Sequence, residues 1–326
     1  MNRYRLVHTT EFLYDGPVSE SYNEVRLRPI HDEKQSCLSF RLSTSPGSRG
    51  TSYRDAYGNS VHQFNILPEH QRLKIEAESV VLVHEAGGFH DPGTLVDFEL
   101  RKAQLGDEYF DFLAPSTYVP RLDDLRPIIA EVEQACGGTV DGFAKAASSV
   151  IHGLFQYVKG ATHVHSSIKD SLSINAGVCQ DFAHVLLGVV RMRGLPARYV
   201  SGYLVPGSAT PSNERQEEVI GGQASHAWVE VLMPDGRWVG YDPTLGKPVG
   251  LRHVRLAYGR DYGDVAPVRG VYKGRAGQSL SVDVSVRPAL DDAGTEQVSK
   301  ITTTAPETPS ASERPQQPAQ QQQQQQ

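Results

Sequence analysis

Cys179, His226 and Asp242 are a thiol, an imidazole and a carboxylate set in that order, 47 and then 16 positions apart. Cys179 lies in "AGVCQDFAHVLLGVVRMRGLPARYVSGY", directly before a strongly apolar stretch with helical spacing. A helix beginning near Val178 turns the sulfur toward unpaired N–H groups and the positive end of the helix dipole, a setting that favours a thiolate. A thiolate nucleophile also needs a base to exchange protons with, and donors for the oxyanion that forms on the attacked carbonyl. The backbone N–H of Cys179 is a natural first donor.

The base and its partner depend on a hairpin. His226 opens "HAWVEVLM", "PDGR" supplies the turn, and "WVGYDPT" returns. Folding about Asp235 sets position 226 opposite position 244. Alternate residues share a face, so His226 and Asp242 become diagonal neighbours within reach of each other. A carboxylate there holds the imidazole in one tautomer and stabilises its cation. By spacing alone each residue also has an ordinary explanation: cysteine as a small core hydrophobe, a strand histidine as a satisfied polar group, Asp-Pro as a turn.

The elements that must position these groups fall into regions. From Tyr4 to about Leu105, "YRLVHTTEFLYD", "CLSFRLSTSP" and "RLKIEAESVVLVH" alternate with period two, and "DAYGNSVHQFNI" carries a turn signal, so 1–110 reads as an N-terminal antiparallel β-sandwich. Helical spacing takes over in "LDDLRPIIAEVEQACGGTVDGFAKAASSVIHGLFQYV", followed by the Cys179 helix with Gly194 and Pro196 as its stops. Strand-like segments follow, "SLSVDVSVRP" last, so 111–288 reads as helices followed by strands and holds all three candidate residues. The remainder, 289–326, is rich in Thr, Pro, Ser, Glu and Gln and is expected to be disordered.

Composition narrows the function class. A net charge of -6 offers no electrostatic footprint for nucleic acid or an anionic membrane. The N-terminus has no apolar h-region and the longest apolar runs are too short to span a bilayer. Three cysteines are too few for a disulfide framework. These features set the expectation of a cytoplasmic protein, with Cys37 and Cys136 inert.

The motifs "GVCQDFAHVLLGVVRMRGLPARYVSGY", "SHAWVEVLMPDGRWVGYDPT" and "YGRDYGDVAPVRGVYKG" resemble the bacterial transglutaminase-like family, and the N-terminal half resembles the β domain that precedes its core. The resemblance runs from about Tyr4 to Pro288. It implies a papain-like α+β core with a cysteine-bearing helix packed on an antiparallel sheet. At matching positions it makes Cys179 the nucleophile, His226 the base and Asp242 the orienting carboxylate. The implied activity is attack on an amide carbonyl of a protein or peptide, giving a thioester that passes to water or to an amine acceptor, with no cofactor and no metal. Animal transglutaminases carry an aromatic residue directly after the cysteine; Gln180 and Asp181 stand here, which weakens any transfer of calcium activation, and no EF-hand loop is present. The alternative is a binding or scaffold protein on the same core, although a pseudoenzyme usually shows a broken triad.

Several neighbouring residues have both a structural and a chemical reading. His163, His165 and Tyr157 are candidates for a second oxyanion donor or a substrate wall. The two histidines bind zinc only with a third ligand, which no CxxC or HExxH motif supplies. His184 is off the cysteine's helix face and Asp181 suits the first turn of any helix, so both read as structural. Trp228 shares the His226 face, as core or as cover. "GRDYGDVAP" is a turn-rich loop, either structural or approaching the cleft.

Overall fold

The computed structural model describes residues 1–84, 94–100, 102–164, 166–206, 225–289, 301–302 and 320–324. The chain divides into two compact units, one of Met1–His84, Val205–Ala224 and Ala266–Gln326, the other of Glu85–Leu204 and Ser225–Val265.

The first unit is a curled antiparallel sheet organised by one long strand, Asn2–Val25. Inward positions such as Leu6, Phe12 and Val25 are buried and alternate with more exposed neighbours, as a strand with one face on a core requires. The strand's first half pairs with His70–Val83 and its second half with Ser60–Ile66. Asp55 shapes the turn before Ser60–Ile66: its carboxylate accepts the backbone N–H groups of Tyr57 and Asn59, and Gly58 takes the left-handed conformation at φ 81°. The strands Val268–Lys273 and Gln278–Pro288, expected at the end of the 111–288 region, also pair with Asn2–Val25 and belong to this unit. The expected disordered tail, 289–326, falls largely outside the described residues. Within it, Ile301–Thr302 pairs with Gln35–Ser45 and Gln320–Gln324 with Val268–Lys273.

The second unit holds the helix Cys179–Met192 and a five-stranded antiparallel sheet. Across that sheet the order is Lys247–Pro248, Trp238–Asp242, His226–Leu232, Ala197–Leu204, His253–Gly259. The helix packs on His226–Leu232 and Ala197–Leu204, with the helix Val140–Leu154 also against it. Every residue from Gln180 to Arg191 is buried, the apolar ones by packing and Gln180, Asp181, His184 and Arg191 with hydrogen-bond partners. Arg191, also buried, donates to the carbonyls of Ala197 (2.9 Å) and Arg260 (2.5 Å) beyond the helix end. Gly194, at φ 84°, turns the chain out of the helix, and Leu195 N–H bonds back to the Val190 carbonyl at 3.2 Å. No helix among the described residues is long and apolar enough to cross a membrane.

One glycine in this sheet answers to close packing. Gly202 lies opposite His226, and a Cβ there would sit 2.1 Å from the Val254 carbonyl oxygen and 2.5 Å from the Trp228 ring. Gly202→Ala is expected to destabilise the protein by about 1–3 kcal/mol, read as a lower denaturant midpoint; an unchanged midpoint would contradict this packing.

Candidate active site

Cys179 is the first residue of its helix and Val178 is the N-cap. Valine has no oxygen with which to cap, so the Asp181 carboxylate reaches back instead and accepts the Val178 N–H at 2.8 Å. The same carboxylate accepts the Thr162 hydroxyl at 2.6 Å and the Ser171 hydroxyl at 2.8 Å. Gly177 makes room for it, since a Cβ there would lie 2.5 Å from an Asp181 oxygen. Asp181 is therefore structural: it fixes the helix head to two neighbouring segments and leaves the first N–H groups of the helix beside the sulfur.

The hairpin has the register that the spacing implies. Val229 pairs with Tyr241 and Trp238 with Leu232, so Asp242 and His226 are diagonal neighbours. Nε2 of His226 lies 2.7 Å from Oδ2 of Asp242, and both side chains are buried. The other ring nitrogen, Nδ1, is buried without a hydrogen-bond partner, and Cys179 is near enough to influence the protonation of the ring. Catalytic hydrogen bonds are commonly loose before substrate arrives. Cys179 itself is half-buried, with Sγ 3.9 Å from the Ser225 carbonyl oxygen, so the sulfur is reachable while its partners are not.

Electrostatics follow from that burial. Burial alone would lower the pKa of His226, but the Asp242 charge and hydrogen bond, with a smaller contribution from Cys179, push it up to about 10. Burial alone would raise the pKa of Asp242; His226 first and a second histidine, His253, hold it well below the usual carboxylate range. The pair therefore stabilises the fold fully at pH values between the ordinary carboxylate and imidazole pKa values. That contribution fades as the pH rises toward 10, and also as it falls through the depressed pKa of Asp242. An imidazolium held beside a reachable sulfur is the setting of a thiol nucleophile.

The remaining candidates separate clearly. Tyr157 pairs with Gly177, two residues before the cysteine, and burial followed by the charge of Cys179 moves its hydroxyl pKa upward, leaving a protonated donor near the sulfur. His163 is exposed, its N–H bonded to the Ser166 hydroxyl, and His165 lies outside the described residues. His184 is buried and pushed down to about 3, so it stays neutral and accepts the Tyr262 N–H at 3.2 Å. Trp228 is fully buried against His253, with ring centroids 5.2 Å apart. The "GRDYGDVAP" segment is a bonded turn: Arg260 pairs with Asp264, and Asp261 accepts the N–H groups of Gly263 and Tyr118. Cys37 and Cys136 are free thiols whose sulfurs approach nearby backbone carbonyls.

Sequence reasoning missed His253. It follows Asp242 by eleven positions, and Nε2 lies 3.0 Å from Oδ2 of the same carboxylate. The ligand atoms of His226, Asp242 and His253 all fall within 4.8 Å of one another, as a metal site would require. Both imidazoles, however, are within hydrogen-bond distance of Oδ2, and Nδ1 of His253 accepts the Gly250 N–H at 3.2 Å. The donor set is thus already satisfied by protons.

Replacing Asp242 by Asn removes the anion and keeps the burial. The His226 pKa is then expected to fall from about 10 to below its ordinary 6.5, followed by NMR titration of the ring; a value that stayed high would contradict the assignment of Asp242 as its cause.

Residues 4–82 match the bacterial transglutaminase-like N-terminal region and residues 130–243 match the transglutaminase-like superfamily. A Mycobacterium leprae protein of uncharacterized function is 34% identical over 293 residues, spanning 88% of this chain and 99% of its own length. A Mycobacterium tuberculosis H37Rv protein, also uncharacterized, is 32% identical over 319 residues, covering 90% of this chain and 95% of its own. The crystal structure of a proposed cysteine protease from Cytophaga hutchinsonii has the same fold, with a TM-score of 0.67 at 20% identity over 90% of this chain and 93% of that one.

Proposed function

The chain belongs to the transglutaminase-like superfamily, with the bacterial transglutaminase-like N-terminal region ahead of its core, and from that premise we propose that it is a thiol enzyme acting on amide bonds through a thioester on Cys179. The observation that carries this reading is the buried Asp242–His226 contact at 2.7 Å behind a half-buried cysteine at the head of a helix.

The substrate is a protein or peptide offering an amide carbonyl, either a glutamine side chain or a peptide or isopeptide bond. The Cys179 sulfur attacks the carbonyl carbon, and the C=O electrons move onto oxygen. The Cys179 N–H and the Tyr157 hydroxyl are the candidate donors to that oxyanion. As it collapses, the C–N bond breaks and His226 hands its proton to the leaving amine. Water then attacks the thioester with His226 as base and releases an acid, or a primary amine attacks and forms a new amide. No cofactor is needed, because thiolate and imidazole suffice for acyl transfer. The reaction is assigned to the cytoplasm, on the grounds that the three cysteines are sparse and free.

The competing reading, a binding protein on an inactivated core, has against it the presence of all three residue types and the Asp242–His226 contact. Alkylation of Cys179 by iodoacetamide, followed by mass spectrometry against pH, tests the two without a substrate. The parent is expected to react at pH 6 at least ~10-fold faster than an ordinary thiol of pKa ~8.5. His226→Ala is expected to lose that advantage. Equal rates in the two proteins would sink the enzyme reading. With a substrate identified, Cys179→Ala should abolish turnover, and adding a primary amine while weighing the product separates transfer from hydrolysis.

A further inference from the structure

Asp242 is more heavily engaged than a triad needs. Its Oδ1 accepts the N–H groups of Thr244 (2.9 Å) and Leu245 (3.2 Å), and these bonds fix the carboxylate plane at the end of its strand. Its Oδ2 faces two imidazoles, His226 at 2.7 Å and His253 at 3.0 Å. The second comes from the far edge of the sheet: His253 opens the strand that flanks Ala197–Leu204, with two strands lying between it and the strand of Asp242. Its orientation is determined by Gly250 and Trp228 as well as by Asp242. The Gly250 N–H donates to Nδ1 at 3.2 Å, which places the ring proton on Nε2 and aims it at Asp242. The Trp228 ring meets the imidazole edge-on, at 79° and 5.2 Å. Gly202, lacking a side chain, makes room for that tryptophan. Among the described residues, the titratable groups in contact with His253 are Asp242 and His226, the latter with its ring centroid 6.2 Å away.

We propose that His253 is a positioning residue for the triad, a neutral imidazole whose Nε2–H holds the Asp242 carboxylate ionised and its Oδ2 aimed at His226. This rests on the reading of Cys179, His226 and Asp242 as a catalytic triad. A buried carboxylate that must remain an anion needs donors to replace water. His253 supplies one that carries no charge of its own and so does not compete with His226 for the role of cation. It touches neither substrate nor sulfur and acts through Asp242.

The test is the pH profile of Cys179 alkylation in the parent, His226→Ala, His253→Phe and His253→Gln, with the melting temperature of each measured alongside. Phenylalanine keeps a ring against Trp228 and removes the donor; glutamine restores an N–H at nearly the position of Nε2. Without the donor, Asp242 takes up a proton at higher pH as the solution is acidified, and its hold on the His226 imidazolium weakens. The acid limb in His253→Phe is therefore expected to move up by about one pH unit, a roughly tenfold loss of rate on that limb, while His253→Gln stays close to the parent. A purely structural role would lower the melting temperature without moving the limb. If the parent depends on His226 and His253→Phe keeps the parent profile, or if His253→Gln is shifted as far as His253→Phe, this proposal alone is overturned. If the parent does not depend on His226, the triad reading falls and this proposal with it.

Discussion

A carboxylate with no exposed surface has to be met by hydrogen-bond donors in place of water, and Asp242 is met by four: two backbone N–H groups and two imidazoles. Much of the second unit serves that requirement. The hairpin brings His226 alongside, the turn after Asp242 supplies Thr244 and Leu245, and the last strand of the sheet delivers His253. The negative charge so stabilised favours the cationic form of His226 despite its burial, and in the proposed function that cation is the partner of the Cys179 thiolate.

The helix of Cys179 is secured at both ends by buried polar side chains directed at backbone or hydroxyl groups. Asp181 ties its head to Thr162, Ser171 and the N–H of Val178. Arg191 ties its tail to the carbonyls of Ala197 and Arg260. Between them the helix is buried on every side, so it has little freedom to rotate or slide. Cys179 is thereby held at a fixed place relative to the sheet that carries His226. The burial of Asp181 and Arg191 is offset by these hydrogen bonds, one set at each end of the helix.

The first unit owes its order to one strand. Asn2–Val25 pairs with four others along its length, two of them, Val268–Lys273 and Gln278–Pro288, drawn from the far end of the chain. Contiguity in sequence therefore does not mark where one unit ends and the other begins. Period-two alternation in "SLSVDVSVRP" marks a strand but does not say which sheet it joins. Pairing partners are chosen by apolar faces hundreds of residues apart, and local pattern carries no record of them.

What the sequence determined by itself was the local part of the site. Helical spacing and the glycine before it set Cys179 at a helix head. A short turn between two alternating strands allows only one register that keeps both apolar faces inward, so the diagonal placement of His226 and Asp242 follows from counting about Asp235. His184 and Asp181 were legible as structural from helix geometry. Tertiary structure alone decided the rest. His253 reaches Asp242 from a strand three places away across the sheet, Thr162 and Ser171 meet Asp181 from separate segments, and Tyr157 comes near the sulfur through a two-residue pairing with Gly177. These contacts form where elements distant in sequence fold against one another, and no periodicity in the chain encodes which polar groups will then be left to satisfy each other.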